Sequence, residues 1–179
     1  MTELYFVRHG QCVANAEGVL AGRQDSPLTE LGIEQAREEA VKIRNSGLSF
    51  DMIVSSPLSR AYDTARIIAE ENGYPVEAIA VIDDLREKES GDFEGRPTQE
   101  IFVASDEQVM AAEAETFDVF AGRVKRANAK IAEIAVGTTL IVGHSAFYRM
   151  ASCIAQGREP HEMLDVERPT NGNLLEYPL

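Results

Sequence analysis

Two short apolar runs, each ending in a histidine, constrain this chain more than any other feature. Leu4-Tyr5-Phe6-Val7 leads into Arg8-His9-Gly10, and Leu140-Ile141-Val142 leads through Gly143 into His144. An apolar run of this length bounded by Gly reads as a short buried strand. Ligands of open α/β sheets bind at the carboxyl ends of their strands. Both junctions therefore deliver an imidazole to the edge where chemistry is done. A neutral His is a competent nucleophile toward phosphorus, and a neighbouring Arg holds phosphoryl oxygens.

The rest of the chain alternates strand and helix signals, which predicts α/β architecture. The expected form is three layers, a mainly parallel sheet with helices on both faces. After a strand over 3–8 comes a Gly-, Asn- and Ser-containing loop over 9–27. Thr29 is placed to cap a helix over 30–45, with Ile33, Ala36, Ala40 and Ile43 at helical spacing and Gly47 ending it. A strand over 51–56 and a helix over 58–72, closed by Gly73, follow. Weaker signals give a strand over 76–82, a loop over 84–97, helices over 98–113 and 116–136, and a last short strand over 173–177. Between these lie a clear strand over 139–142 and a helix over 145–155.

Length and charge narrow the function classes. A chain of 179 residues fits one well-buried domain, expected to span 1–179, and shows no repeat or linker. A net charge of −13 argues against nucleic acid or an anionic membrane as partner. A phosphate site here needs its own local cluster of cations. No apolar run approaches membrane-spanning length. The first strand begins too early to leave room for a secretory leader. Two cysteines, Cys12 and Cys153, give neither a disulfide framework nor zinc spacing. A cytoplasmic, reduced protein without metal or other cofactor is expected. Oligomeric state is not readable from these features.

Four positions follow strands or sit in the charged loop: Arg8-His9, Arg60, Glu87 and His144. Around them the chain resembles the histidine phosphatase superfamily, also called phosphoglycerate mutase-like. The matching segments are LYFVRHGQCVAN (4–15), GRQDSPLTELGIEQA (22–36), IVSSPLSRAYDTA (53–65), LREKESGDFEG (85–95) and TLIVGHS (139–145). They run in the family's order through most of the chain, and together they are far more specific than Arg-His-Gly alone.

The resemblance implies that His9 attacks phosphorus and becomes a phosphohistidine. It implies that Arg8, Arg60 and His144 cradle the phosphoryl oxygens, and that Glu87 protonates the leaving alkoxide and then activates water. Asn15 matches a position that touches phosphate. Gly10, Gln11, Arg23 and Ser145 complete the expected substrate-binding set. Ser145 is read both as a helix N-cap and as an N–H donor to phosphate. Cys12 departs from the Ser or Thr common at its position and reads as an inert buried thiol. Independent chemistry agrees with these roles. Phosphoryl transfer needs charge stabilisation above all, and two guanidiniums supply fixed forks whose field keeps a nearby imidazole neutral. A carboxyl beside a phosphate dianion holds its proton more readily, as a general acid should.

Three activities fit such a site: a phosphomonoester hydrolase on a small metabolite, a phosphoglycerate mutase, and a non-catalytic phospho-ligand binder. The complete set of five residues argues against the binder. A mutase must hold a second anionic group, and the covering segment 88–122 offers only Lys88 and Arg96 against many carboxylates. Cations outside it, Arg23 first among them, would have to complete a mutase pocket. The Gly91-Asp92-Phe93-Glu94-Gly95 stretch resembles the phosphatase branch. Phe93 and Phe102 are placed to contact an uncharged leaving group.

Overall fold

The computed structural model describes residues 2–102 and 106–179, with the side chains of 101, 102 and 106 outside the description. Strands are β1 (Glu3–Arg8), β2 (Met52–Ser55), β3 (Ala80–Val81), β4 (Thr138–Gly143) and β5 (Leu174–Glu176). Helices are α1 (Val13–Glu17), α2 (Glu30–Ser46), α3 (Ser59–Asn72), α4 (Thr98–Phe102), α5 (Asp106–Ala111), α6 (Phe117–Ile134) and α7 (Ser145–Ala155). The strands form one sheet in the order β3-β2-β4-β1-β5. All neighbours are parallel except β5, which pairs antiparallel with β1 at the edge.

Strand alternation sorts the core into two layers. Phe6, Ile141 and Val54 are register partners across β1, β4 and β2. They pack with Phe120, Val124 and Ile131 of α6 and Phe147 and Met150 of α7. Their neighbours Val7, Val142, Leu140 and Ile53 face the other way, against Ala40 and Ile43 of α2 and Ala61, Ala65 and Ile68 of α3. Burial on both faces explains why these strands read as continuous apolar runs. The chain leaves β1 toward the α2–α3 layer and leaves β4 toward the α6–α7 layer. The two connections part to opposite faces, and a crevice opens at the carboxyl ends of β1 and β4.

Most expected elements are present, with shifts that have local causes. Thr29 caps α2 by accepting the Gly32 N–H, and Gly47 and Gly73 close α2 and α3 in the left-handed region. Helix α1 interrupts the expected loop over 9–27. It is one turn long, starts after Cys12 and stops at Gly18, too short for helical periodicity to register. The strand expected over 76–82 shrinks to β3, because a 3₁₀ turn over Val76–Ala78 follows Pro75. Two further 3₁₀ turns, Asp83–Leu85 and Gly91–Phe93, shape the loop expected over 84–97. The helix expected over 98–113 corresponds to α4 and α5, and its stretch 103–105 lies outside the described residues.

Where β1 gives way to the loop, its backbone runs against the start of α2. A Cβ on Gly10 would overlap the Gly32 carbonyl, and a Cβ on Gly32 would overlap the carbonyl of Gln11. This close approach needs glycine on both sides, and it fixes the loop that carries His9.

Candidate active site

His9 directly follows β1 and His144 directly follows β4. Arg8 and Gly143 are register partners, so the next residue of each strand places two imidazoles side by side. Their ring centroids are 5.2 Å apart and the rings are inclined by 60°. The His9 N–H donates to the Gly143 carbonyl (3.0 Å), locking the junctions together.

The His9 side chain is buried, and its Nδ1 lies 2.7 Å from the carbonyl oxygen of Gly10. A carbonyl only accepts, so Nδ1 carries the proton and Nε2 keeps a free lone pair. Burial, then the positive fields of Arg60 and Arg8, hold His9 well below the ordinary imidazole pKa of 6.5, outweighing the Gly10 hydrogen bond. The loop is braced from several sides. The Gly10 N–H donates to Thr64 Oγ1 (3.0 Å), the Asn171 amide donates to the His9 carbonyl (2.7 Å), and the Gly172 N–H donates to the Arg8 carbonyl (2.9 Å).

Each guanidinium is fixed by backbone carbonyls. Arg8 donates from Nη1 to Pro169 (2.9 Å). Arg60, on the first turn of α3, donates to Gln24 (3.0 Å) and Gly22 (2.8 Å) and is almost wholly buried. His144 Nε2 lies 2.8 Å from the Ser56 hydroxyl. That hydroxyl also accepts the Leu58 N–H; when it donates its own proton to His144 Nε2, the imidazole N–H lies at Nδ1. Burial, with Arg60, His9 and Arg8 next, lowers the His144 pKa well below 6.5 too. Among the described residues, Arg8 Nε, Arg60 Nε and His144 Nδ1 are buried without any protein partner. Arg23 Nε and Ser59 Oγ share this state, so the three atoms named are those of the set whose residues lie against His9.

Glu87 lies on the loop after the Asp83–Leu85 turn. Its carboxylate accepts the Lys88 N–H (3.0 Å) and, from the start of α7, the Ala146 N–H (3.2 Å). Arg123 of α6 holds that loop from beneath, donating to the carbonyls of Asp84 (2.9 Å), Arg86 (2.6 Å) and Glu87 (3.0 Å). The same guanidinium forms a buried ion pair with Glu115 (2.6 Å).

Arg8, His9, Arg60 and Glu87 line a cavity of about 510 Å³, together with Gln11, Asn15 and Ser145. His144 is wholly buried against His9 with its Nδ1 unpartnered, and Gly10 contributes backbone contacts only. The expectation for Arg23 is corrected: it pairs with Glu89 (2.8 Å) and Glu115 (3.1 Å) and does not line the cavity. Gly22 before it does line the wall. Ser145 does not cap α7, because His144 occupies that position. Phe93 is buried beneath Arg96 and does not line the cavity, while Phe117 does. The side chain of Phe102 lies outside the described residues. Cys12 is wholly buried.

Sequence reasoning missed Arg149, Arg168 and Asn171 as parts of this wall, whereas Lys88, expected on the covering segment, lines it. Helical spacing carries a signal for Arg149. It stands four residues after Ser145 on α7, so both share the face turned to the site.

A family model described as the histidine phosphatase superfamily (branch 1) matches residues 4–177. The Escherichia coli adenosylcobalamin/alpha-ribazole phosphatase is 32% identical over 152 residues, which cover 79% of this chain and 72% of that protein. A Yersinia pestis protein named probable phosphoglycerate mutase GpmB is 42% identical over 99 residues, but the match covers only 54% of this chain and 43% of that protein. The crystal structure of the alpha-ribazole phosphatase from Shigella flexneri superposes with a TM-score of 0.80 at 28% identity, covering 96% of this chain and 88% of that one.

Proposed function

The chain belongs to the histidine phosphatase superfamily, and we propose that it is a phosphomonoester hydrolase working through a phosphohistidine on a small phosphorylated metabolite. His9 Nε2 attacks phosphorus while the bond to the ester oxygen breaks, and the Glu87 carboxyl gives its proton to the departing alkoxide. Water then attacks phosphorus and passes a proton to the Glu87 carboxylate. The P–N bond breaks, inorganic phosphate leaves, and His9 is neutral again. Arg8, Arg60 and the His144 N–H hold the equatorial oxygens throughout.

The observation that carries this reading is the state of His9. Its tautomer is set by the Gly10 carbonyl and its neutral form by burial among Arg60 and Arg8, so Nε2 is a ready nucleophile. The phosphatase relatives support hydrolysis. One domain over 1–179 is part of the proposal and is supported by the match over 4–177. A cytoplasmic location is also part of it, supported by the two buried free thiols. No helix among the described residues is long and apolar enough to cross a membrane.

Rapid acid quench during turnover of p-nitrophenyl phosphate tests the nucleophile. Wild-type protein should carry acid-labile phosphate, whereas His9→Ala should carry none and lose at least about a thousandfold in kcat. Activity of the variant above about a tenth of wild type would remove His9 from the role, since loss of a nucleophile costs orders of magnitude. The partial match to a mutase favours one alternative, group transfer between glycerate positions. Isomerisation of 3-phosphoglycerate that outruns phosphate release would establish it over hydrolysis.

A further inference from the structure

The end of a third strand, β2, lies beside the two that carry the histidines. Ser55 of β2 is the register partner of Val142 in β4, and the N–H of the following residue, Ser56, donates to the Val142 carbonyl (3.1 Å). The sheet thus sets the Ser56 hydroxyl against His144. We propose that Ser56 is a positioning residue for phosphoryl transfer: its hydroxyl fixes the tautomer of His144, so that Nδ1 presents an N–H to the phosphoryl group. This inference rests on the hydrolase reading above and adds to it a residue that acts only through His144.

A serine hydroxyl has one proton to give and lone pairs to accept with. Ser56 Oγ takes the Leu58 N–H (3.3 Å), and its other hydrogen-bond neighbour among the described residues is His144 Nε2 (2.8 Å). Both side chains are wholly buried. Burial, then the field of Arg60, keeps the imidazole neutral, so one ring nitrogen carries the proton and the other does not. With the proton on Nε2, Oγ accepts twice and its own proton has no acceptor, a costly state for a buried hydroxyl. With Nε2 bare, the hydroxyl donates to it and every polar group of Ser56 is satisfied, since its carbonyl accepts the Ser55 hydroxyl (2.9 Å). The bond made by one ring nitrogen decides the protonation of the other.

His144 Nδ1 has no partner in the protein, and its ring packs edge-on to that of His9. An N–H at Nδ1 donates to a phosphoryl oxygen and stabilises the charge that gathers there, whereas a lone pair at the same place repels it. The same hydroxyl has a second duty. The Leu58 N–H that it accepts stands at the start of α3, two residues before Arg60. Loss of the hydroxyl could therefore act through Arg60 rather than through His144, and the test must read the position of the imidazole proton itself.

Long-range proton–nitrogen NMR correlation on protein with isotope-labelled imidazole nitrogens makes that reading, with the His144 signals assigned by their absence in His144→Asn. At neutral pH the wild-type protein should show a protonated Nδ1 and a bare Nε2. The reverse pattern would overturn the proposal, whether or not any ester is hydrolysed. Ser56→Ala should move the proton wholly or partly to Nε2. It should also lower kcat/KM for p-nitrophenyl phosphate, and the affinity for inorganic phosphate measured by calorimetry, by about tenfold or more, the scale of one charge-assisted hydrogen bond. Ser56→Thr, which keeps the hydroxyl, should retain the wild-type tautomer. A rate lost in Ser56→Ala with the proton still on Nδ1 would mark a structural role alone and end the proposal. So would a moved proton that leaves rate and phosphate affinity unchanged. If Ser56→Ala does not fold, the wild-type spectrum decides. Should wild-type protein hydrolyse no ester, the parent reading fails instead, and the spectra with the phosphate titration still judge Ser56.

Discussion

At the scale of single residues, the site depends on groups kept in one protonation state by burial. Glu87→Gln removes the proton donor while keeping its shape. The phosphorylation step of alkyl esters should slow far more than that of p-nitrophenyl phosphate, because a good leaving group needs little protonation. Single-turnover measurements on both substrates check this, and equal slowing would exclude Glu87 as the acid. The two buried histidines make a separate prediction about stability. Both have pKa values well below 6.5 in the folded protein, whereas the unfolded chain titrates near 6.5. Below that pH the unfolded state binds protons that the folded state refuses, so stability falls with falling pH. The slope should reach about 1.4 kcal/mol per pH unit for each histidine. Urea unfolding at pH 7.5 and 5.5, in phosphate-free buffer, should show the loss, and His144→Asn should roughly halve its slope. A flat profile would mean that the imidazoles are not held neutral.

At the scale of elements, strand ends deliver the two histidines, and α6 holds the loop that carries Glu87. Arg123 ties three carbonyls of that loop to Glu115, and Glu115 in turn accepts the Glu89 N–H and pairs with Arg23. A lysine carries the charge but not the fork. Arg123→Lys should lower unfolding free energy by roughly 2–4 kcal/mol, the order expected when a buried pair loses its geometry. It should also slow esters with poor leaving groups more than activated ones. Chemical denaturation, with kinetics on both ester types, measures the two effects. Elements of strong periodicity were legible in the sequence: α2 and α7 begin at the residues the pattern indicates, and β1 and β4 end where their histidines follow. His9, Arg8 and Arg60 were legible because each lies within a few residues of a strand end. Arg123 and Arg168 were not, since their places at the site arise only when distant segments pack. Arg23 misled because its nearness in sequence to Gly22, which does line the wall, conceals a side chain committed to Glu89 and Glu115.

At the scale of the whole molecule, a strongly acidic chain concentrates arginine where its sheet opens. Among the described residues no group of three or more His, Cys, Asp or Glu converges as metal ligands would. On the proposed mechanism, in which Arg8 and Arg60 supply the charge, turnover should be unchanged, within about twofold, by EDTA; loss of activity that magnesium or zinc restores would show that the arginines do not suffice. The layer order was legible from the alternation of apolar runs and helical faces. The position of β4 between β1 and β2 was not, because nothing local in those strands specifies which neighbour each will choose.

The bracing of the nucleophile loop bears on when activity first arises in the life of the chain. His9 emerges before the segments that brace it, because the carbonyl that holds Arg8 belongs to Pro169, and the groups that hold the loop backbone belong to Asn171 and Gly172. The strand that seats His9 also waits for residues 138–143 to enter beside it. A ribosome-bound fragment that stops short of these residues thus carries His9 without a site around it. Hydrolysis of phosphate esters therefore begins only when the chain has folded through to these residues.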